Sequence, residues 1–213
     1  MQIASWNVNS VRTRLDHVLN WLEHSEADLL ALQETKVDDP QFPLEPFLQR
    51  GYQVQIHGQK AYNGVALISR TPLEDVRMGF RAELPDDDEA EELGAQKRVI
   101  SALIDGVRVV NLYVPNGSSL SSDKYSYKLT WLSCLERYLK AIQTRDEPLC
   151  VMGDFNIGLE ARDLPDPDRL TGGIMASDRE RNALKAARGP ELQDSIRLFA
   201  PNSGHRSWWD YRT

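Results

Sequence analysis

Apolar residues along this chain follow two rhythms. Seven short segments are rich in β-branched or aromatic residues and bounded by Gly, Pro, Asn or Asp, which predicts strands. They are "QIASWNV" (2–8), "DLLALQE" (28–34), "YQVQIHG" (52–58), "GVALISR" (64–70), "RVISALI" (98–104), "VRVVNLYV" (107–114) and "LCVMGDFN" (149–156). Three other stretches carry helical spacing. "RTRLDHVLNWLEHS" places Leu15, Val18, Leu19 and Leu22 on one face, and "SSDKYSYKLTWLSCLERYLKAIQ" does the same with Leu129, Leu132, Leu135 and Leu139. "SDRERNALKAARG" starts at capping residues Ser177 and Asp178 and stops at Gly189. Strands adjoin one another in some places and alternate with helices in others, which predicts a layered α/β fold with mixed sheets.

Composition narrows the class. At 213 residues the chain is expected to form one domain, 1–213, that buries roughly 70% of its unfolded surface. No apolar run is long enough to span a membrane, and "MQIASWNVNS" lacks the basic and apolar regions of a signal peptide, so a cytoplasmic protein is expected. Cys134 and Cys150 fit neither a metal pattern nor a disulfide framework. The net charge of −7 taken alone speaks against nucleic acid, but "ELPDDDEAEE" (83–92) holds seven acidic groups and no basic one. Setting it aside leaves 25 acidic groups against 25 Lys and Arg, so basic residues are free to gather on one face. The acidic run itself reads as a solvated loop without chemistry.

Four predicted strands end in polar residues of one kind. The first ends in Asn7 and Asn9, the second in Gln33, Glu34 and Thr35. "NLYVPNG" supplies Tyr113 and Asn116, and "VMGDFNIG" supplies Asp154 and Asn156. Residues two apart on an extended segment share a face, so Asp154 and Asn156 emerge together while Phe155 points away. A carboxylate and an amide leaving a core strand are costly unless something binds them. Taken singly, each is also a turn former, a helix cap or a half-buried strand aromatic. Taken together, converging oxygen donors suit a hard cation such as Mg²⁺, which uses one or two carboxylates, keeps several waters and takes substrate phosphate. Without His-x-His or Cys clusters, zinc is disfavoured.

These segments resemble the exonuclease III family of AP endonucleases, within the endonuclease/exonuclease/phosphatase superfamily. "ADLLALQETK" (27–36) matches that family's first signature at every position. "WNVNSVRTRL", "NGVALISR", "NLYVPNG", "KYSYKLTWL", "GDFNI" and "SWWDYR" follow in the family's order. The resemblance implies a four-layer α/β sandwich, two mixed sheets flanked by helices, and a monomer. It also implies a Mg²⁺-dependent DNA-repair nuclease (Mn²⁺ being the alternative ion) that cuts duplex DNA 5′ of abasic sites and removes nucleotides from 3′ ends. Carried over by position, Glu34 is the main metal ligand with Asn7 beside it, and Asp154 and Asn156 complete the metal set. Tyr113 is the active-site tyrosine, Asp154 the base for the attacking water, and Asn156 the amide that holds the phosphate. Asn116 supports the phosphate nearby. Trp208, with Trp209 adjacent, packs against the abasic sugar. Arg98 and Lys124, and with them Arg12, Arg14, Lys36 and Lys128, flank the motifs and either contact DNA phosphates or are plain surface charges. A lone "GDFN" also fits a phosphodiesterase or phosphatase acting on a small molecule or lipid, and a non-catalytic DNA-binding fragment is the remaining alternative.

In the family the pattern continues past "SWWDYR" through an Arg-Ile-Asp strand and a Ser-Asp-His strand, which supply a further aspartate and an Asp–His pair. This sequence does not carry them, and His17, His24, His57 and His205 occupy no equivalent place. The 213 residues alone are therefore expected to lack the last strands and to have little or no nuclease activity. Turnover of an abasic duplex with Mg²⁺ measures this, and near-normal rates would show the absent pair to be dispensable.

Overall fold

The computed structural model describes residues 1–202 and Ser207. The chain groups into two compact units. The first takes in Met1–Val114 and Lys140–Phe155; the second takes in Pro115–Leu139 and the described residues from Asn156 onward.

The first unit holds both sheets. Strands β1 (Ile3–Asn7), β2 (Leu29–Gln33), β3 (Gln53–His57) and β4 (Val65–Ser69) form one sheet in the order β1-β2-β4-β3. Strands β5 (Glu74–Met78), β6 (Val99–Ile104), β7 (Val107–Tyr113) and β8 (Leu149–Asp154) form the other in the order β5-β6-β7-β8. Each sheet is mixed: β1 runs parallel to β2 and β7 parallel to β8, while the remaining pairs are antiparallel. All seven predicted strands are present. The run LLALQ of β2 is buried throughout because both its faces are covered. Leu30 and Leu32 turn to one side, against Val18, Leu19 and Leu22 of helix α1 (Leu15–His24). Leu29 and Ala31 turn to the other, against Ile100, Ala102 and Val109 of the second sheet. Each such leucine contributes about 1.5–3 kcal/mol by leaving water.

One buried polar contact crosses between the sheets. Gln33 Nε2 donates to Asn111 Oδ1 at 2.7 Å, and Asn111 Nδ2 donates to the carbonyls of Leu32 and Ala66 at 2.9 and 3.1 Å. Both side chains are essentially without solvent exposure.

Two local expectations are corrected. The sequence pattern gave no strand at 74–78, because EDVRM lacks apolar alternation. Ion pairs supply what apolar packing does not: fully buried Arg108 of β7 bonds the Asp75 carbonyl at 2.8 Å and its carboxylate at 2.5 Å. The acidic run is not a solvated loop either. Its second half forms helix α3 (Asp88–Gly94), capped by the Asp87 carboxylate on Ala90 N–H at 3.0 Å. Glu83 is buried and takes Arg145 at 2.9 and 2.5 Å and Arg77 at 2.5 Å. A carboxylate so enclosed needs such partners.

Helix α2 (Glu45–Leu48) lies in the first unit. The second unit holds helix α4 (Asp123–Gln143) as far as Leu139, together with α5 (Pro167–Leu170), α6 (Asp178–Arg188) and α7 (Ser195–Phe199). Helix α6 starts and stops where its sequence signals lie. Ser177 and Glu180 form a reciprocal capping box, and Gly189 closes it at φ 63°. Both cysteines are free thiols. Among the described residues no helix is long and apolar enough to cross a membrane.

His57, at the end of β3, is 7% exposed, and its Nε2 has no hydrogen-bond partner among the described residues. Burial, aided by the Lys97 charge and opposed by Asp39, lowers its pKa to about 4. Between the ordinary value of 6.5 and about 4, the unfolded chain takes up a proton that the folded one refuses. Stability therefore falls as pH drops through this window, by up to about 3 kcal/mol. His57→Leu is expected to flatten that slope, read as urea midpoints at a series of pH values; an unchanged slope would assign it to other groups.

Candidate active site

Parallel pairing decides where the polar strand ends meet. In β1/β2 Asn7 lies opposite Gln33, and in β7/β8 Tyr113 lies opposite Asp154, so each pair delivers two carboxyl ends together. The β1/β2 ladder continues into the loops: Val8, Ser10 and Val11 donate to the carbonyls of Gln33, Glu34 and Thr35 at 3.0, 2.8 and 3.1 Å. To follow it the backbone turns left-handed at Asn9 (φ 43°), Ser10 (92°), Glu34 (53°) and Lys36 (55°). Only asparagine among these adopts that region readily. On the other sheet Gly153 has φ 137°, and a Cβ there would lie 2.0 Å from the Leu112 carbonyl oxygen. The glycine lets β8 approach β7 closely just before Asp154.

At the junction Asn7 Nδ2 donates to Glu34 Oε1 and to Asp154 Oδ2, each at 2.8 Å. Its Oδ1 accepts from the Asn9 N–H at 3.0 Å, which fixes the amide. Lys36 Nζ lies 2.8 Å from Glu34 Oε2 and also bonds Asn9 Oδ1. The Tyr113 hydroxyl donates to Glu34. Arg98 covers the Tyr113 ring at 4.6 Å and bonds its carbonyl at 3.2 Å. Asn7, Tyr113 and Asp154, the last residues of three strands, and Glu34, which follows a fourth, thus form one connected cluster inside the first unit.

Burial opposes the charge on Glu34, but hydrogen bonds from Asn7, Lys36 and Tyr113, with the Lys36 charge, outweigh it and hold the carboxyl below its usual range. Tyr113 moves the other way. Burial first, then the charge and hydrogen bond of Glu34, push its hydroxyl well above the ordinary 10. The pair is therefore a carboxylate and a neutral phenol at physiological pH. Among the described residues no three of His, Cys, Asp and Glu group around one point. The two carboxylates that Asn7 bridges are oxygen donors of the kind a hard, partly hydrated cation takes, and Glu34 and Asp154 are the residues that would hold one. Asn7 presents its nitrogen, not its oxygen, to both carboxylates, so as arranged it bridges them.

The other sequence-predicted residues divide by unit. Asn116 and Asn156 pair in the second unit, Asn116 Nδ2 donating to Asn156 Oδ1 at 3.2 Å, and Asn156 is left-handed at φ 49°. Lys124 and Arg12 are exposed; Arg98 and Arg14 are half-buried, and Arg14 donates to the Asn9 carbonyl at 2.6 Å. Lys128 is corrected: it is neither a phosphate contact nor a surface charge but fully buried, 2.6 Å from the equally buried Glu180. Trp208 and Trp209 lie outside the described residues. Sequence reading gave Asn111 no role; its one signal was a lone amide in an apolar run.

The family described as Endonuclease/Exonuclease/phosphatase matches residues 4–213. The chain belongs to this family. An exodeoxyribonuclease III of Haemophilus influenzae is 32% identical over 225 positions, across all of this chain and 81% of that protein. An exodeoxyribonuclease of Bacillus subtilis is 31% identical over 218 positions, with the same coverage of 100% and 81%. A solved 3′–5′ exonuclease from Neisseria meningitidis superposes with a TM-score of 0.91 at 39% identity, covering 100% of this chain and 80% of that one. An AP endonuclease from Archaeoglobus fulgidus gives 0.89 at 37%, again with 100% and 80%. This family member is thus an enzyme of the exonuclease III type, a hydrolase of the nuclease class, with the two mixed sheets and flanking helices of that fold.

Asn7→Ala removes a donor shared by two carboxylates. Stability is expected to fall by about 2 kcal/mol at pH 7. Because the carboxyl of Glu34 is held below 4.5, its contribution is complete above that pH and lost as pH falls through its folded value. The gap between wild type and variant should close below pH 4.5, as urea titrations at pH 7 and in acid will show; a gap independent of pH would remove Glu34 from the account.

Proposed function

We propose that the protein is a Mg²⁺-dependent DNA-repair nuclease that hydrolyses phosphodiesters 5′ of abasic sites and removes nucleotides from 3′ ends of duplex DNA. The observation that carries this reading is the single amide of Asn7 bonded to both Glu34 and Asp154 at 2.8 Å, with Tyr113 on Glu34. Two anionic side chains gathered at strand ends are paired for a cationic or proton-transfer task, not for the core. Mg²⁺ bound at Glu34 would offset charge on the phosphate oxygens, with Mn²⁺ able to substitute.

The chain's own residues supply the rest. Asp154 orients the attacking water and accepts its proton. Tyr113, whose hydroxyl is pushed up by burial and by Glu34, donates a hydrogen bond. Asn156, with Asn116, gives the phosphate amide donors where charge accumulates. Lys124 and Arg98 add phosphate affinity without sequence preference.

A second reading comes from a solved relative. A Neisseria protein titled a 3′ phosphatase, bound to a product DNA hairpin, is 39% identical to this chain with a TM-score of 0.90. A terminal 3′-phosphate is attacked by the same water and bound by the same donors, so duplexes ending in 3′-phosphate belong in the test.

The experiment is single-turnover cleavage, with protein in excess, of an abasic duplex, a recessed 3′ end and a 3′-phosphate end. Whatever cleavage the 213 residues retain should require Mg²⁺ and vanish with chelator. Asp154→Asn should reduce the rate by about 10²–10⁴-fold, the span of a lost general base. Hydrolysis of sphingomyelin or inositol phosphates in place of DNA would overturn the reading.

A further inference from the structure

We propose that the buried Lys128–Glu180 ion pair is the positioning element that fixes the Asn116–Asn156 amide pair for phosphate. This rests on the nuclease reading above. Lys128 has three donors. One goes to Glu180 Oε1 at 2.6 Å, and the others go to the carbonyls of Asn156 at 2.8 Å and Asn116 at 3.2 Å. The ammonium therefore holds the backbone of the two residues whose side chains meet.

Glu180 extends the knot to a third loop. Its Oε1 also accepts the Met175 N–H at 3.1 Å, and its Oε2 accepts the N–H and hydroxyl of Ser177 at 3.0 and 2.6 Å. The Ser177 hydroxyl in turn meets the Tyr125 hydroxyl at 2.7 Å. The loop after Asn116 is pressed onto the lysine stem: a Cβ on Gly117 (φ 92°) would lie 3.2 Å from Lys128 Cδ and 2.9 Å from Ile174 Cδ1. Asn156 is left-handed, a conformation its surroundings must hold.

Energy alone does not explain the pair. A buried ion pair is often matched or bettered in stability by apolar residues of the same volume. An apolar pair could fill this space but could not anchor two carbonyls from separate loops. The polar pair sets geometry.

That distinction is measurable. Lys128→Met leaves Glu180 buried without a counter-charge and should lower Tm; the double variant Lys128→Met/Glu180→Leu should recover Tm. In both, kcat should fall by about 10- to 100-fold, as expected of donors displaced by a fraction of an ångström to one ångström. Dissociation constants for abasic duplex should change by no more than about threefold, since phosphate charge dominates affinity. In an Asn156→Ala background, Lys128→Met should cost less than about twofold more, because the lysine acts through that residue. Wild-type kcat in the apolar double variant, or additive losses in the cycle, would overturn the proposal. Where the 213 residues cleave too slowly to read, as expected above for a chain without the Asp–His pair, side-chain amide NMR decides the pair, and the nuclease reading is tested separately by the substrates it hydrolyses. Asn116 and Asn156 resonances should shift or broaden in the double variant; unchanged resonances would sink the inference.

Discussion

One hydrogen bond inside the sandwich fixes how the sheets meet: Gln33 Nε2 to Asn111 Oδ1 at 2.7 Å. Hydrophobic faces slide over one another at little cost, whereas a buried amide left unpaired costs about 1–3 kcal/mol. Here both amides are paired, and the Asn111 nitrogen is also held by the Leu32 and Ala66 carbonyls. Any sliding of β7 across β2 would strand several polar groups at once. Gln33 immediately precedes Glu34, and Asn111 lies two residues before Tyr113 on the same face. The contact that registers the sheets therefore also sets where the carboxylate meets the phenol.

From that register the chemistry of the first unit follows. Parallel pairs carry Asn7 with Gln33 and Tyr113 with Asp154 to their carboxyl ends, and one amide then links Glu34 to Asp154. Glu34 is stabilised as an anion while Tyr113 is stabilised as a neutral donor. Burial is the larger cause for Tyr113, and the hydrogen bond adds to both effects, because a proton shared toward the carboxylate is harder to remove from the phenol. The pH at which this division breaks lies far from neutrality on either side.

Much of this was legible from sequence, and the exceptions share a cause. Segments rich in β-branched or aromatic residues and bounded by turn formers mark strands packed on apolar partners, so β1 to β4 and β6 to β8 were readable. Strand β5 was not, since its partners are ionic and come from Arg108, 33 residues away. The acidic run hid a helix because its cap, Asp87, looks like one more surface acid, and Glu83 hid among its neighbours although Arg77 and Arg145 enclose it. Lys128 was misplaced for the same reason: its counter-ion is 52 positions distant. Asn7, Glu34, Tyr113 and Asp154 stood out in the sequence only together, as polar residues ending four apolar segments. Their mutual bonds were not legible there, since those depend on sheet register.

The left-handed residues Glu34 and Lys36 have a consequence for engineering. Each non-glycine side chain in that region costs the fold about 1 kcal/mol or more. Glycine at either position would relax the backbone but delete a carboxylate or its counter-ion, with the bonds Glu34 makes to Asn7 and Lys36. The strain in this loop is therefore retained because relieving it would remove the charges that the loop presents.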